Sequence, residues 1–397
     1  MKKVAYTPPY TQINHFTFHI KGEMIQIASK PGIPEWNQLS PASVLIGEKI
    51  LVAGDAQVLY LGCGNGAGAV PLARLLSGGR IWLHDINFVA IQMTAETIHL
   101  NQISNSETFT DINLPVRLEE SCDVAIIEIP KGRKLAQRWL AQAFLGLKPG
   151  GKLCICGANR QGINPSIKDA EMLFGEPVVI GYKKGNRLVR FVKTQAAWPA
   201  SGWWDIPGIA PSTWHKGSIQ MPSGPIEIYS LPGIFSYDRL DEGTQLLLAS
   251  IPDLRGMDVL DLGCGYGAIG LEAARAGAKN VDMLDVNLLA VCAANKNISI
   301  LEITNSRALP SDVISATPDK KYNLILSNPP FHTGRDTDYQ VAHAFIQQSC
   351  QALAPAGQVY FVANRFIRYE KIMQSYFLSV VEIAQSPRYH VLCGKTA

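Results

Sequence analysis

The chain has 397 residues, of which 47% are hydrophobic and 17% charged, and its formal net charge is +3. Such a composition can bury a sizeable core and excludes an intrinsically disordered protein, while the length favours two domains. No stretch approaches the roughly 18 uncharged apolar residues of a spanning helix, and the start, MKKVAYTPPY, lacks the apolar core of a secretory signal. A cytoplasmic location without a membrane partner is therefore expected.

The cysteines do not predict a metal centre or a disulfide framework. Eight cysteines in a chain of this length are too few for a disulfide scaffold. Their spacing also lacks the two CxxC pairs that a structural zinc site requires. We therefore expect no bound metal.

In chain order, one pattern occurs twice. VLYLGCGNGAGAVPLARLLSGG starts at Val58, and VLDLGCGYGAIGLEAARAGA starts at Val259. In each, an apolar strand leads into a glycine loop and a helix, and the next strand ends at Asp85 or Asp285. Later pieces match as well, CDVAIIEIP with YNLILSNPP and KPGGKLCICGANR with APAGQVYFVANR. This alternation predicts two tandem Rossmann-like α/β domains, each a mostly parallel sheet with helices on both faces.

The predicted domain boundaries follow from the repeat and from composition. Residues 1–195 form the first copy and residues 226–397 the second. Residues 196–225 are rich in Pro, Gly and Trp and lose the apolar periodicity, which predicts a linker and interface. Residues 1–200 carry 21 lysines and arginines against 15 acidic residues, whereas residues 201–397 carry 15 against 18. The basic first half is the better candidate for contact with nucleic acid.

The glycine loop of the second copy is a candidate nucleotide site. Gly263, Gly265 and Gly267 alternate after a buried strand, where a backbone free of Cβ atoms lets a ligand approach closely. Asp285 ends the next strand and is placed to accept hydrogen bonds from ribose hydroxyls. The same loop also satisfies the dinucleotide fingerprint. Asp261, two residues before the first glycine, would meet a cationic amino group better than a pyrophosphate.

The segment SNPPFH, residues 327–332, ends an apolar strand of the second copy and predicts chemistry on an exocyclic amine. The Asn328 side-chain oxygen and a backbone carbonyl can each accept an N–H of such an amine, which turns its lone pair toward an electrophilic methyl group. Pro329 and Pro330 stiffen the loop and have no N–H. Phe331 offers a face on which a base can stack. Positioning is the main expected catalytic effect, and no strong base is needed.

With these residues in place, the second copy resembles class I S-adenosylmethionine-dependent methyltransferases, and more closely the ribosomal RNA guanine-N2 methyltransferases of the "methyltransferase small" superfamily. The resemblance lies in PGIFSYDRLDEGTQLLL (residues 232–248), DLGCGYG, SNPPFHTG and VANRFIRYEKIMQSYF with the closing YHVLCGK. That family also has a duplicated architecture with a degenerate N-terminal methyltransferase domain. The resemblance therefore covers nearly the whole chain.

The resemblance implies S-adenosylmethionine as cofactor and a role for each matching residue. Asp261 would lie near the cofactor's amino group, Asp285 would bind its ribose and Asp312 its adenine amine. The glycines of the loop would line its methionine end. The segment that caps the pocket contributes Phe235, Arg239, Asp241 and Thr244. The guanine would be held by Asn328, Pro329, Pro330 and Phe331.

The implied partner is ribosomal RNA or a ribosomal subunit, and the duplicated chain is expected to act as a monomer. A 16S rRNA guanine of the 1207 type is favoured, with a 23S rRNA guanine as the other option. The alternatives are methylation of adenine-N6 or of a protein glutamine, and a non-catalytic RNA-binding assembly factor. Glutamine enzymes usually have tyrosine at the position of Phe331. An NAD oxidoreductase is less favoured, because no catalytic His–acid or Tyr–Lys pattern is present.

The first copy departs from the family pattern. It keeps the glycines of residues 62–66 and Asp85, but Tyr60 replaces the acid before the loop, and residues 128–132 (EIPKG) replace NPPF. We expect no catalysis and no bound cofactor there, and a role in holding RNA. The candidate phosphate contacts are Lys131, Arg133, Lys134, Arg138, Lys183, Lys184, Arg187, Arg190 and Lys193.

Overall fold

The computed structural model describes residues 9–195, 197–330 and 336–396. The chain forms two compact units that divide between Pro199 and Ala200, except that residues 111–113 are assigned to the second unit. Each unit contains a seven-stranded sheet and a separate two-stranded hairpin. The prediction of two tandem Rossmann-like domains is confirmed.

The first unit opens with a hairpin and continues as an α/β sheet. The strands are β1 (Asn14–Ile20), β2 (Glu23–Ser29), β3 (Gln57–Leu61), β4 (Arg80–His84), β5 (Ser106–Phe109), β6 (Cys122–Glu128), β7 (Leu147–Ala158), β8 (Val178–Lys183) and β9 (Asn186–Val192). The helices are α1 (Pro41–Lys49), α2 (Ala69–Leu75), α3 (Phe88–Leu100), α4 (Arg133–Gly146) and α5 (Ile163–Phe174). The sheet order is β5-β4-β3-β6-β7-β9-β8, in which only the pairs of β9 are antiparallel.

The second unit repeats these elements in the same order. Its strands are β10 (His215–Ile219), β11 (Ile226–Ser230), β12 (Asp258–Leu262), β13 (Asn280–Asp285), β14 (Ser306–Pro310), β15 (Tyr322–Ser327), β16 (Leu353–Asn364), β17 (Ser379–Gln385) and β18 (Tyr389–Lys395). Its helices are α6 (Glu242–Leu248), α7 (Ala268–Arg275), α8 (Leu288–Ile300), α9 (Asp336–Ala352) and α10 (Tyr369–Met373). The sheet order β14-β13-β12-β15-β16-β18-β17 matches that of the first unit strand for strand.

The duplication extends beyond the sheets, because a hairpin precedes each one and is fixed in the same way. In the first unit Thr97 Oγ1 accepts a hydrogen bond from the Ala28 N–H of β2 (3.0 Å). In the second unit Asn297 Oδ1 accepts from the Tyr229 N–H of β11 (2.7 Å) and Asn297 Nδ2 donates to the Tyr229 carbonyl (2.9 Å). In both units the helix that follows the fourth strand therefore holds the hairpin.

The segment predicted as a linker contains regular structure. Strand β10 lies within it, and Trp204 is buried and donates to the Ala200 carbonyl (2.9 Å). Trp198 packs edge-on against Phe144, with ring centroids 5.5 Å apart. The role of residues 196–225 as linker and interface stays a prediction. Among the described helices, none is long and apolar enough to cross a membrane.

The central strands place the motifs at one edge of each sheet. β12 is buried from Val259 to Leu262, and its neighbours β13 and β15 run parallel to it. The carboxyl ends of the three strands therefore meet at one edge, where the second glycine loop, Asp285 and Asn328 follow. β3, β4 and β6 place the first glycine loop, Asp85 and Glu128 in the corresponding positions.

Candidate active site

The glycine loop of the second unit has the backbone that its sequence predicts. Gly263, Gly265 and Gly267 have φ values of +79°, +56° and +97°, a region that side chains with a Cβ rarely adopt. The N–H of Gly263 donates to the Leu284 carbonyl (2.8 Å), which ties the loop to β13. A Cβ added to Gly265 would meet only Ile234 Cγ2, at 3.8 Å. This part of the loop therefore leaves room for a ligand.

Asp285 is held in one orientation by its surroundings. Its Oδ2 accepts from the Gly265 N–H (2.8 Å) and its Oδ1 from the Asn287 N–H (2.8 Å). Burial raises the pKa of Asp285 above its usual value, and these backbone donors oppose the shift. Each oxygen keeps a lone pair, so the carboxylate can accept two hydroxyl donors as ribose presents them. The fit to a ribose is good.

Asp261 is a buried acid with an unused oxygen. The residue is fully buried, and its Oδ2 accepts from the Gly270 N–H (2.8 Å). Its Oδ1 has no hydrogen-bond partner among the described residues. Burial raises the pKa of Asp261 to about 7, and Asp285 contributes to the rise. A buried carboxylate with a free oxygen is suited to an ammonium group, which would restore its ionised form.

Asn328 lies directly after β15 with its amide held from one side. Its Nδ2 donates to Asp241 Oδ2 (3.1 Å) and to Thr244 Oγ1 (2.9 Å). Its Oδ1 is buried and has no partner within the described part of the chain. The structure thus brings an unused carbonyl acceptor to the edge of the sheet where the sequence predicts an amine to be held. Pro329, which follows, is buried, whereas Pro330 is exposed.

Two predicted site residues remain, the stacking residue Phe331 and the adenine ligand Asp312. Phe331 and its neighbour His332 lie outside the described residues, so the stacking role of Phe331 stays a prediction. Asp312 lies in the loop after β14, where the N–H of the preceding Ser311 donates to the Asp285 carbonyl (2.9 Å). The residue before Asp312 is therefore hydrogen-bonded to the backbone of Asp285, the residue expected to bind the ribose.

The capping segment divides into two parts. Phe235 is 65% exposed, and Arg239, also exposed, forms an ion pair with Asp238 at 3.6 Å. Asp241 and Thr244 instead contact Asn328, a link that the sequence analysis missed. A signal was present, because LDEGT has the composition of a helix start with Asp at the N-cap. No pattern in the sequence, however, indicates that this helix start faces residue 328.

The first unit keeps the aspartate and glycine loop of the site but has a larger aromatic ring beside the loop. Its Asp85 accepts from the N–H groups of Gly64 (3.1 Å) and Asn87 (2.9 Å), as Asp285 does from Gly265 and Asn287. A Cβ added to Gly62 would lie 2.7 Å from Trp139, whereas one on Gly263 would lie 3.4 Å from Phe345. The larger Trp139 ring therefore packs closer to the glycine loop than Phe345 does.

Glu128 takes the position of Asn328 in the first unit and is surrounded by hydroxyl donors. Tyr60 donates to its Oε2 (3.2 Å), Ser40 to its Oε1 (3.2 Å) and Ser43 to its Oε2 (3.4 Å). Burial raises the pKa of Glu128 to about 7, although the hydrogen bonds from Tyr60 and Ser40 lower it. Tyr60 takes the position of Asp261 in the repeat, and its hydroxyl pairs with the strand-end residue Glu128.

Two of the predicted phosphate contacts are wrong. Arg138 and Lys193 are each only 1% exposed. Lys193 Nζ donates to the carbonyls of Phe144 (2.8 Å) and Leu147 (2.7 Å), and burial lowers its pKa. A side chain committed to the interior in this way cannot contact a phosphate.

The remaining basic residues lie nearer the surface, and several have acidic partners. Arg133 forms a bidentate pair with Asp169 (2.8 and 2.7 Å), and Lys183 pairs with Glu48 (2.7 Å). Lys131, Lys134 and Lys184 are exposed, while Arg187 and Arg190 are partly buried. Their contact with RNA stays a prediction. Among the described residues no group of three or more His, Cys, Asp or Glu side chains could hold a metal ion.

Comparison with known proteins gives matches over most of the chain. The methyltransferase small domain family matches residues 24–187 and 225–393. A ribosomal RNA small subunit methyltransferase C of Shewanella sediminis is 34% identical over 280 residues, which cover 70% of this chain and 78% of that protein. A protein of the same name from Psychromonas ingrahamii is 28% identical over 355 residues, covering 88% of this chain and 93% of its own length.

A solved structure matches both units together. It is the 16S rRNA N2 guanine-1207 methyltransferase of T. thermophilus in complex with AdoMet and guanosine, with a TM-score of 0.82 and 25% sequence identity. The match covers 97% of this chain and 98% of that one. The shared architecture therefore includes the duplication.

Proposed function

The chain belongs to the methyltransferase small domain family, and from this premise we propose that it methylates the exocyclic N2 amine of a guanine in 16S ribosomal RNA. It is an S-adenosylmethionine-dependent rRNA methyltransferase, in keeping with its match to a 16S rRNA enzyme that binds AdoMet and guanosine. The favoured target is a guanine of the 1207 type. The observation that carries this proposal is the Asn328 Oδ1 at the carboxyl edge of the sheet, which has no hydrogen-bond partner among the described residues.

The cofactor would be held by the residues around the second glycine loop. The free Oδ1 of Asp261 suits the ammonium group of the methionine part, and the carboxylate of Asp285 suits the two ribose hydroxyls. Asp312 would accept from the adenine amine. The glycines would line the ligand with their backbone, and Phe235 and Arg239 would cover it. S-Adenosylmethionine, when bound, supplies an electrophilic methyl group on a sulfonium.

The chain's own contribution to the reaction is mainly to orient the amine. The N2 lone pair of guanine is delocalised into the ring, so the amine is a weak nucleophile until its hydrogens are held. Asn328 Oδ1 would accept one N–H, and a carbonyl of the Asn328–Pro329 backbone the other. The lone pair would then point at the methyl group, and once an N–C bond has replaced the methyl–sulfonium bond the amine would lose one proton to solvent. Phe331 would stack on the base.

The first unit would bind RNA without catalysing methyl transfer. This is supported by Glu128, whose oxygens already accept three hydroxyl donors of the chain, and by Trp139, whose ring packs against the glycine loop. The exposed Lys131, Lys134 and Lys184 would contribute phosphate contacts. We propose that the chain acts as a monomer in the cytoplasm, since the duplication already pairs two similar units.

Transfer of tritiated methyl from S-adenosylmethionine tests the proposal. Unmodified 30S and 50S subunits and their naked RNAs would be assayed in parallel, followed by digestion to nucleosides. We expect N2-methylguanosine in the 16S rRNA. Label on adenine or on a protein glutamine would replace the proposed acceptor, and label on 23S rRNA alone would replace the proposed subunit. No label together with cofactor binding would contradict methylation of rRNA altogether.

A further inference from the structure

We infer that Asp241 and Thr244 are positioning residues, which fix the Asn328 amide with its oxygen toward the guanine amine. The inference rests on the proposed function and deepens it. The resemblance assigns both residues to the cap of the cofactor pocket, whereas the structure places their side chains against Asn328. They would act on the methyl acceptor through Asn328 and not on the cofactor.

Asp241 is itself fixed by the start of a helix. It is the N-cap of α6, and its Oδ2 accepts from the N–H groups of Gly243 (2.9 Å) and Thr244 (3.2 Å). The same oxygen accepts the Asn328 amide at 3.1 Å. Because the helix start holds the carboxylate, the carboxylate can in turn hold the amide. Thr244, in the first turn of α6, takes the second amide hydrogen at 2.9 Å.

An asparagine amide has two orientations that differ by exchange of its oxygen and nitrogen. In the observed one, both N–H groups point at acceptors and Oδ1 is left without a partner among the described residues. In the other orientation, the amide oxygen would face the Asp241 carboxylate. The two oxygens would repel each other, since both are hydrogen-bond acceptors and neither can donate. A guanine N2 amine would then also meet N–H donors. Only the observed orientation presents an acceptor to the amine.

The first unit shows that this contact is not required merely to start the helix. Ser40 is the N-cap of α1, and its Oγ accepts from the Ala42 N–H (3.3 Å). There the hydrogen bonds to the strand-end residue run the other way, since Ser40 and Ser43 donate to Glu128. In the first unit the helix start therefore donates hydrogen bonds to the strand-end residue, whereas in the second unit it accepts them. A serine is sufficient to cap such a helix. The carboxylate of Asp241 has the further effect of accepting the Asn328 amide.

This difference suggests variants that separate capping from positioning. Asp241→Ser keeps an N-cap oxygen but is too short to reach Asn328, whereas Asp241→Asn keeps an oxygen that can do both. Thr244→Val keeps the shape of the side chain but removes the acceptor, and Thr244→Ser keeps the acceptor. Ser40→Ala removes a cap from the first unit and serves as the matched control.

The experiment measures single-turnover methylation of the RNA, cofactor Kd by calorimetry and the thermal midpoint, all on the full chain. We expect Asp241→Ser and Thr244→Val to slow methyl transfer by about 10-fold or more, with cofactor Kd changed by less than about 3-fold. Asp241→Asn and Thr244→Ser should restore most of the lost rate. Ser40→Ala should leave the rate unchanged.

The decisive arm repeats Asp241→Ser in an Asn328→Ala background. If Asp241 acts through Asn328, the second substitution adds little to the loss, because the two effects are not additive. An additive loss, an unchanged rate in Asp241→Ser, or a weakened cofactor Kd as the main effect would overturn the inference. Wild-type protein that labels no guanine N2 would instead overturn the proposed function, so the two failures are distinguishable.

Discussion

The two units of this chain share a backbone and differ at its centre. Both have the same strand order, a glycine loop tied to the neighbouring strand and an Asp bonded to the loop. The residues at the corresponding positions around the glycine loop and the strand end differ: Tyr60 against Asp261, Glu128 against Asn328, and Trp139 against Phe345. The two copies thus keep the same loop and strand-end geometry while a few side chains at these positions differ.

The comparison also separates two ways of satisfying buried polar atoms. In the first unit the Glu128 carboxylate is met by three hydroxyl donors of the chain. In the second, Asp261 Oδ1 and Asn328 Oδ1 lack partners among the described residues. Unpaired buried acceptors cost about 1–3 kcal/mol each, and a ligand that pairs with them recovers this. At the corresponding strand ends, the second unit therefore has acceptors that a ligand could pair with, whereas the described donors of the first unit already pair with Glu128.

The largest effect is expected from removing the acceptor in the second unit. Asn328→Ala should lower the rate of methyl transfer by at least about 100-fold, since the amine loses its orientation, while cofactor affinity changes little. Single-turnover methylation and calorimetry measure the two quantities. The matched change Glu128→Ala in the first unit should leave the rate within about 3-fold. Retained activity in Asn328→Ala would contradict the proposal that Asn328, and not Glu128, orients the acceptor amine.

The next effect concerns the two aspartates that end corresponding strands. Asp285→Ala should weaken cofactor binding by about 10- to 100-fold, because two charge-assisted hydrogen bonds to the ribose are lost. Asp85→Ala should leave the cofactor Kd unchanged, since the first unit is expected to bind none. Calorimetry on the full chain gives both the affinity and the number of sites. Two sites in the wild type, with one lost in Asp85→Ala, would show that the first unit also binds cofactor.

A smaller effect is a pH dependence of cofactor binding. The pKa of Asp261 is raised to about 7 without ligand, and its ionised form is the one that attracts an ammonium group. Affinity should therefore increase as pH rises to about 7 and level off above it, with binding at pH 6 about 10-fold weaker than at pH 8. Calorimetry across this range measures it. Asp261→Asn should weaken binding and flatten the profile, and an unaltered profile would assign the titration to another group.

The smallest effect concerns stability of the first unit. The folded-state pKa of Glu128 is about 7, above the ordinary value of 4.5, so ionisation opposes folding. Stability should fall as pH rises from about 4.5 through 7, and the loss is complete above that range. Glu128→Gln should remove this slope and raise stability at pH 8 by about 1–2 kcal/mol. Urea unfolding at pH 5 and pH 8 tests it, and parallel slopes in both proteins would contradict the assignment.

The sequence was sufficient for features that depend on local chemistry. Glycines at positive φ and an Asp at a strand end are required by the backbone itself, so the amino-acid pattern alone predicts the positions of Gly263, Gly265 and Asp285. The repeat predicted both sheets for the same reason. The two hairpins escaped notice, because short strands without a glycine-loop motif give a weak signal.

Features that depend on distant partners could not be predicted. Burial of Lys193 is possible because the carbonyls of Phe144 and Leu147, at the end of α4, accept hydrogen bonds from its Nζ. Its neighbours in the sequence do not reveal this. The contact of Asp241 with Asn328 likewise joins residues that only the sheet brings together. Alignment of the two copies through α4 and α9 could have found Trp139 opposite Phe345, since both precede matching strands.

The internal pairing of Glu128 in the first unit has a thermodynamic consequence for the chain. The Glu128 carboxylate of the first unit is paired with donors of the chain itself, so we expect the stability of this unit to be independent of cofactor supply. A site with unpaired acceptors gains stability by mass action, by about 2.7 kcal/mol when cofactor is at 100 times its Kd. We therefore expect the stability of the second unit, and not that of the first, to depend on the concentration of cofactor in the cell.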